Sequence, residues 1–291
     1  MVLPDSRDLI NLLEHDEPLH VKEFIDAVSR CGHAIVLTLI NVTEVLAPVL
    51  DDGDVDRMCR TFRLLKSIPH RALRESFLII EEIDLALKAF RSGASAPRPL
   101  NAYVLDWRDT ITPPWSVDVE QYLCSSEEEF LIESYRGNSD FFRPHAPHTA
   151  ALRDLLGDNR LTKPGERRAV ARKLFRGALE KHIRRQLFVA PTGEELERFG
   201  DWLYDNPMWC PSFWLSFALY QRWVDNKTDP MEEGDTHDFN LAMCLPYVDA
   251  LTLDRRTMTY VRQAIRKTSL AHFDQRLYPD LSAWFKETCL K

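Results

Sequence analysis

The chain lacks several signatures that would place it quickly. Its six cysteines (Cys31, Cys59, Cys124, Cys210, Cys244, Cys289) are scattered without a CxxC pair, so zinc-ribbon and thiol-redox motifs are not indicated and buried free thiols are the simpler reading. No run of about 18 apolar residues occurs, which predicts no membrane span. The N-terminus carries Asp5 and Asp8 where a signal peptide would carry basic residues, and a cytoplasmic protein is expected. His237 has no second histidine at zincin spacing, and there is no GxSxG elbow for a nucleophilic serine. Asp5 lacks a second acid two residues on, which disfavours a haloacid-type phosphatase. His145 and His148 lie in a Pro-rich stretch, and the other histidines are dispersed.

What the chain does have is enough apolar content, 45% of 291 residues, to bury a sizeable core. Its formal net charge of -8 argues against a protein that coats polyanions wholesale, yet positive charge is concentrated locally. Arg160 through Arg185 holds ten basic residues and two acidic ones. Within it Arg168, Arg172 and Arg176 recur every four residues as a cationic stripe on one helical face. Such a stripe suits a phosphate backbone; the competing reading is a helix packed against acidic neighbours. Thr192 and Glu195 match a capping box for the next helix. Trp202, Tyr204, Trp209, Phe213, Trp214, Phe217, Tyr220 and Trp223 follow, at spacing that favours a packed core over base stacking. The acidic run Glu127 to Glu129 reads as a solvated helix face.

The two ends of the chain carry the chemistry. A short apolar opening reaches Asp5, and Ser6 is placed to cap a helix through Leu9, Ile10, Leu12 and Leu13. Ala34 to Ile40 reads as a buried strand, followed by a helix capped by Asn41 or Thr43 whose first turn presents Glu44. Near the other end, Asp235 and Asp238 sit three residues apart in the first turn of a short helix, flanking His237. Pro246 closes that helix. An apolar run from Val248 to Leu253, interrupted by Asp249, then delivers Asp254 to a new helix opening at Arg255 and Arg256. In a parallel α/β sheet the carboxyl ends of the strands are where ligands sit. A last short strand and a closing helix are predicted between Phe273 and Phe285.

These residues together resemble the PIN-like domain nucleases: Asp5 after the opening strand, Glu44 after the second, and THDFNLAMCLPYVDALTLDRR near the end. Thr252 and Asp254 stand in that family's T-x-D arrangement, and the likeness covers roughly residues 1–60 and 234–291. The resemblance implies a three-layer α/β/α fold with a central, mostly parallel sheet. The expected division is a PIN-like core of 1–110 and 234–291, interrupted by a mainly helical insertion of 111–233. It further implies an acidic pocket holding Mg2+ or Mn2+ and hydrolysis of phosphodiester bonds, most often in single-stranded RNA. Carried over by position, Asp5, Glu44, Asp238 and Asp254 are the acidic quartet, with Asp235 and Asp249 as additional metal ligands. Ser6, His237 and Thr252 are expected to support them, and Arg168, Arg172, Arg176, Arg255 and Arg256 to contact nucleic acid. Arg7 departs from the pattern, standing where an asparagine often follows the first acid and hydroxyl. Two alternatives remain open: a catalytically inactive PIN-like interaction protein, and a DNA-directed nuclease using the same pocket. A regulatory partner or a second copy of the chain completes the expected partners.

Overall fold

A computed structural model describes residues 1–13, 18–51, 55–97, 100–104, 164–186, 191–226, 228–229 and 235–289. The Glu127 to Glu129 run, His145, His148, Arg160 and Lys163 lie outside these residues, as does all of the 111–163 part of the expected insertion. Among the described residues six strands form one sheet: β1 (Val2–Leu3), β2 (Ile35–Leu37), β3 (His70–Leu73), β4 (Tyr103–Val104), β5 (Ala250–Thr252) and β6 (Leu277–Tyr278). Their order is β4-β3-β2-β1-β5-β6. All neighbours are parallel except β3 and β4, which run antiparallel at one edge. The two ends of the chain thus meet at the centre, where Val2 pairs with Ile35 on one side and Ala250 on the other.

The strands are short and apolar because both faces are covered. Successive residues point to opposite sides, so Leu3, Val36, Leu73 and Leu251 join one core, and Val2, Ile35, Leu37, Ala72 and Ala250 the other. The second core is closed by α1 (Ser6–Leu13), α2 (Pro18–Arg30), α3 (Leu39–Asp51), α4 (Val55–Ser67) and α11 (Leu281–Cys289). The first is closed by α5 (Glu75–Ser92), α8 (Pro211–Asp225), α9 (Asp235–Ala242) and α10 (Arg255–Ile265). Helix α8 falls within the stretch expected as an insertion. It nevertheless buries Leu215, Leu219 and Trp223 in the same core as the sheet. None of the helices among the described residues is long and apolar enough to cross a membrane.

Helix α5 fastens the layers through two glutamates a heptad apart. Glu75 Oε1 accepts from the amides of Leu39 (2.8 Å) and Ile40 (3.3 Å), closing the N-terminus of α3. Glu82 accepts from the amides of Ser212 (3.0 Å) and Phe213 (3.3 Å), closing α8, and from the Tyr247 hydroxyl at 2.5 Å. Unsatisfied helix N-termini attract negative charge, which is why carboxylates sit there. The helix ends at Gly93, whose left-handed φ of 67° lets its amide return to Ala89 O.

A third cluster joins α5 to α6 (Pro164–Gln186) and α7 (Glu194–Asp205) through Phe175, Phe199, Leu203 and Phe213. The aromatic residues therefore pack as core: Phe175 lies 5.0 Å from Phe213 and 5.1 Å from Phe217 between ring centroids. The capping box does not form. Gly193 precedes the helix without a side-chain cap, and Glu195 is drawn away to Arg91, whose Nε and Nη2 reach it at 2.8 and 3.2 Å.

Candidate functional site

The site is built on one strand–Asp–helix unit used twice. At the end of β1, Asp5 caps α1: its Oδ1 accepts from the Arg7 amide at 3.0 Å, and its carbonyl takes the amides of Asp8 and Leu9. Asp5, not Ser6, is thus the cap, which frees the Ser6 hydroxyl for another partner. At the end of β5, Asp254 caps α10, with Oδ1 accepting from Arg256 (2.7 Å) and Thr257 (3.2 Å). Because β1 and β5 are paired and parallel, the two aspartates emerge side by side at the carboxyl edge of the sheet. Thr252 joins the units. Its Oγ accepts from the Asp5 amide at 2.7 Å and donates to Asp8 Oδ2 at 2.6 Å, which also accepts from the Leu281 amide at 3.0 Å.

The other two acids arrive from separate helices. Helix α3 begins at Leu39, with Thr38 and Asn41 bonded to each other at its start, and it carries Glu44 to the same edge. Asn41 Nδ2 donates to Pro4 O (3.0 Å) and Ser6 Oγ (3.2 Å), tying the start of α3 to the end of β1. Glu44 Oε2 accepts from the Ser6 hydroxyl, and Glu44 Oε1 meets His237 Nδ1 at 2.5 Å. Helix α9 supplies Asp238, whose Oδ2 accepts from Thr257 Oγ1 at 3.1 Å.

Electrostatics show how closely the acids are grouped. Burial, with the charges of Asp5 and Asp254 and a hydrogen bond shared with Asp254, pushes the Asp238 carboxyl up to about 8. Burial likewise raises Asp5 to about 6; Asp8 and Glu44 add to the rise, and the Arg7 amide and guanidinium oppose it. Burial also acts on Asp254, but hydrogen bonds from Thr257, Asp238 and the Arg256 amide hold it below its ordinary value. The pair therefore favours a proton on Asp238, shared with an ionised Asp254.

The remaining expected residues fall elsewhere. Asp249 precedes β5, at the opposite end of the strand, 71% exposed and paired with the N-terminal ammonium of Met1. It is separated from the quartet by the length of β5. Asp235 is buried, with Oδ1 held by Arg256 Nη1 at 2.8 Å. Arg256 is further gripped by Asp229 at 2.8 Å, whereas Arg255 is exposed at the rim. The α6 arginines face α7: Arg168 and Arg172 reach Asp205 at 3.0 and 2.7 Å, and Arg172 and Arg176 lie 3.7 Å from Asp201. Arg172 also stacks on Tyr204, 5.2 Å from the ring centroid. Each arginine of the stripe therefore has a carboxylate partner on α7.

Asp8, Asn41 and Thr257 also build the site, and the sequence reading did not select them. The signal available was spacing: Asp8 and Thr257 each lie three residues after a capping aspartate. Among the described residues no three His, Cys, Asp or Glu side chains already surround a common point as a metal requires. The oxygens of Glu44 and Asp254 are engaged by protein donors instead. The donor set nonetheless suits a hard cation, being carboxylate oxygens crowded enough to hold a proton in its place. Comparison of the chain with protein-family models, curated proteins and solved structures finds no match.

Proposed function

We propose that this protein is a metal-dependent nuclease of the PIN-like kind that hydrolyses phosphodiester bonds in single-stranded RNA. The observation that carries the reading is the meeting of Asp5, Glu44, Asp238 and Asp254, from four elements far apart in the chain, at one carboxyl edge of a mostly parallel sheet. That is where open α/β sheets bind ligands. Asp5, Asp238 and Asp254 would hold Mg2+ or Mn2+, with Glu44 completing the set. Bound there, the ion supplies Lewis acidity and offsets the negative charge that otherwise repels a polyanion.

The protein's own groups do the positioning. Thr252 and the α1 amides fix Asp5, the α10 amides fix Asp254, and Ser6 and His237 aim Glu44 from opposite sides. Asp238 must release its proton to serve as a ligand, so metal binding there competes with the proton and is favoured as pH rises.

The test is a digest of single-stranded RNA, single-stranded DNA and duplexes in Mn2+ at low salt, with Asp238→Asn and Asp254→Asn alongside. Asparagine is as good an N-cap as aspartate, so Asp254→Asn removes charge while leaving α10 capped. RNA cleavage should fall by about 100-fold or more in both variants, the loss of about 3 kcal/mol of transition-state stabilisation. Unchanged cleavage in both variants defeats the reading, and a preference for DNA replaces its substrate. The non-catalytic interaction reading has one observation on its side, the engagement of Glu44 and Asp254 by protein donors. A Mn2+ titration in which binding does not depend on Asp254 would favour it.

A further inference from the structure

A groove of about 860 Å³ opens directly beside the acidic cluster. One wall is α1, with Arg7 and Asp8; the other is the N-terminus of α10, with Asp254 and Arg255; its floor is the Pro279–Ser282 turn before and into α11. Its size lies within the range of about 300–1,000 Å³ typical of ligand clefts. Three carboxylates border it, and each is turned onto protein donors. Asp8 serves Thr252 and the Leu281 amide, Asp254 caps α10, and Asp280 accepts from the Ala283 amide at 2.6 Å.

The cations are placed differently. Arg7 has a side chain 52% exposed, and its Nη2 is steadied by Pro279 O at 3.2 Å and lies 3.8 Å from Asp5. Arg255 is exposed on the facing wall, one residue after Asp254; its carbonyl accepts from Thr259 Oγ1 at 2.7 Å, which leaves the guanidinium free to face the groove. Arg256 contributes little to the groove because Asp229 and Asp235 hold it. Two guanidinium groups thus flank an open channel bordered by Asp254, with Asp5 3.8 Å from the Arg7 guanidinium, while the arginines of the α6 stripe pair with α7.

We propose that this groove carries the backbone of a single-stranded polynucleotide on one side of the acidic cluster, with Arg7 and Arg255 as its phosphate contacts. The proposal rests on the nuclease reading for what happens at the cluster, but the binding it describes stands or falls separately. Guanidinium groups bind phosphate oxygens in forked pairs, so an arginine on each wall holds the strand across the groove and presents the next phosphate to the acids. The strand therefore runs between α1 and α10, over the turn before α11, and not along α6.

The experiment is equilibrium binding of a short fluorescent single-stranded RNA to the full chain in Ca2+ over a salt series. The proteins are wild type, Arg7→Ala/Arg255→Ala, Arg7→Lys/Arg255→Lys and Arg168→Ala/Arg172→Ala. Loss of two phosphate contacts should lower the slope of log K against log salt by about 1.4 and weaken low-salt binding about tenfold or more. The lysine pair should restore most of the slope, which separates lost charge from a misfolded groove, and the α6 pair should keep the wild-type slope. A wild-type slope in the alanine pair, or no RNA binding by wild type at low salt, overturns the groove. Mn2+ titration and cleavage by the same preparations distinguish the two readings. Arginine-dependent binding without an Asp254-dependent metal site leaves the groove standing and removes the nuclease. Cleavage with unchanged slopes does the reverse.

Discussion

The Asp5 amide donates to Thr252 Oγ1 at 2.7 Å, a bond that joins residues 247 positions apart. The same hydroxyl donates a hydrogen bond to Asp8 Oδ2 at 2.6 Å, so one side chain sets both the first acid and the helix behind it. Thr252→Val keeps the shape and removes both bonds, leaving a buried amide and part of a buried carboxyl without their partner. It should cost roughly 1–3 kcal/mol in urea unfolding, and Thr252→Ser should recover most of that. Cleavage should fall in the valine variant even where it is fully folded, because Asp5 loses its anchor. A valine variant as stable and active as wild type would remove Thr252 from the positioning scheme.

The pH dependence of stability follows from the raised carboxyls. Asp5 at about 6 and Asp238 at about 8 both lie above their ordinary value of 3.8, so the folded state binds these protons more tightly than the unfolded chain. Their contribution is complete below 3.8 and is lost as pH rises through 6 and then 8. Metal-free melting temperature should therefore decline from pH 5 to pH 8. Mg2+ should flatten the decline by binding the ionised form. Asp238→Asn should raise the metal-free midpoint, and by more at pH 8 than at pH 5, because the proton's contribution that the variant no longer loses falls away across that interval. Parallel pH profiles for variant and wild type would contradict the grouping of the acids.

Glu82 ties α5 to the start of α8 and to Tyr247 from a fully buried position. Glu82→Ala should destabilise the fold by about 2–3 kcal/mol, since the Ser212 and Phe213 amides and the tyrosine hydroxyl all lose their acceptor. Glu82→Gln keeps an acceptor and should cost less. Chemical denaturation of the two variants orders them; an inverted order would count against the capping role.

The α6 clasp has a different signature. Arg172 meets both oxygens of Asp205 at 2.7 Å and covers Tyr204, with 27% of its side chain exposed. Arg172→Ala should cost about 1 kcal/mol in thermal or urea unfolding, the sum of a modest surface pair and a cation–π contact. Asp205→Asn should reproduce part of it. A double variant whose losses simply add would show that the two residues do not act on each other.

Much of the site was legible because its parts are local. A short apolar run ending in an aspartate, followed by helical spacing, marks a strand that hands its acid to a helix N-terminus, and both Asp5 and Asp254 follow that rule. The closing strand and helix, and the core role of the aromatic cluster, were readable from spacing as well. Spacing could not separate Asp249 from its neighbours on the chain. Strand polarity alone puts Asp249 at one end of β5 and Asp254 at the other.

Periodicity and capping chemistry, which act over a few residues, determined where the strands end, which helices follow them and which acids stand at those junctions. Only the tertiary structure decided who meets whom. It brought Glu44 and Asp238 to the edge shared by Asp5 and Asp254, gave Asp235 to Arg256, and matched the α6 arginines with α7 aspartates. The reason is that a charge's partner is set by packing between elements many residues apart, and a stripe of arginines looks the same in sequence whether a phosphate or a neighbouring carboxylate will neutralise it.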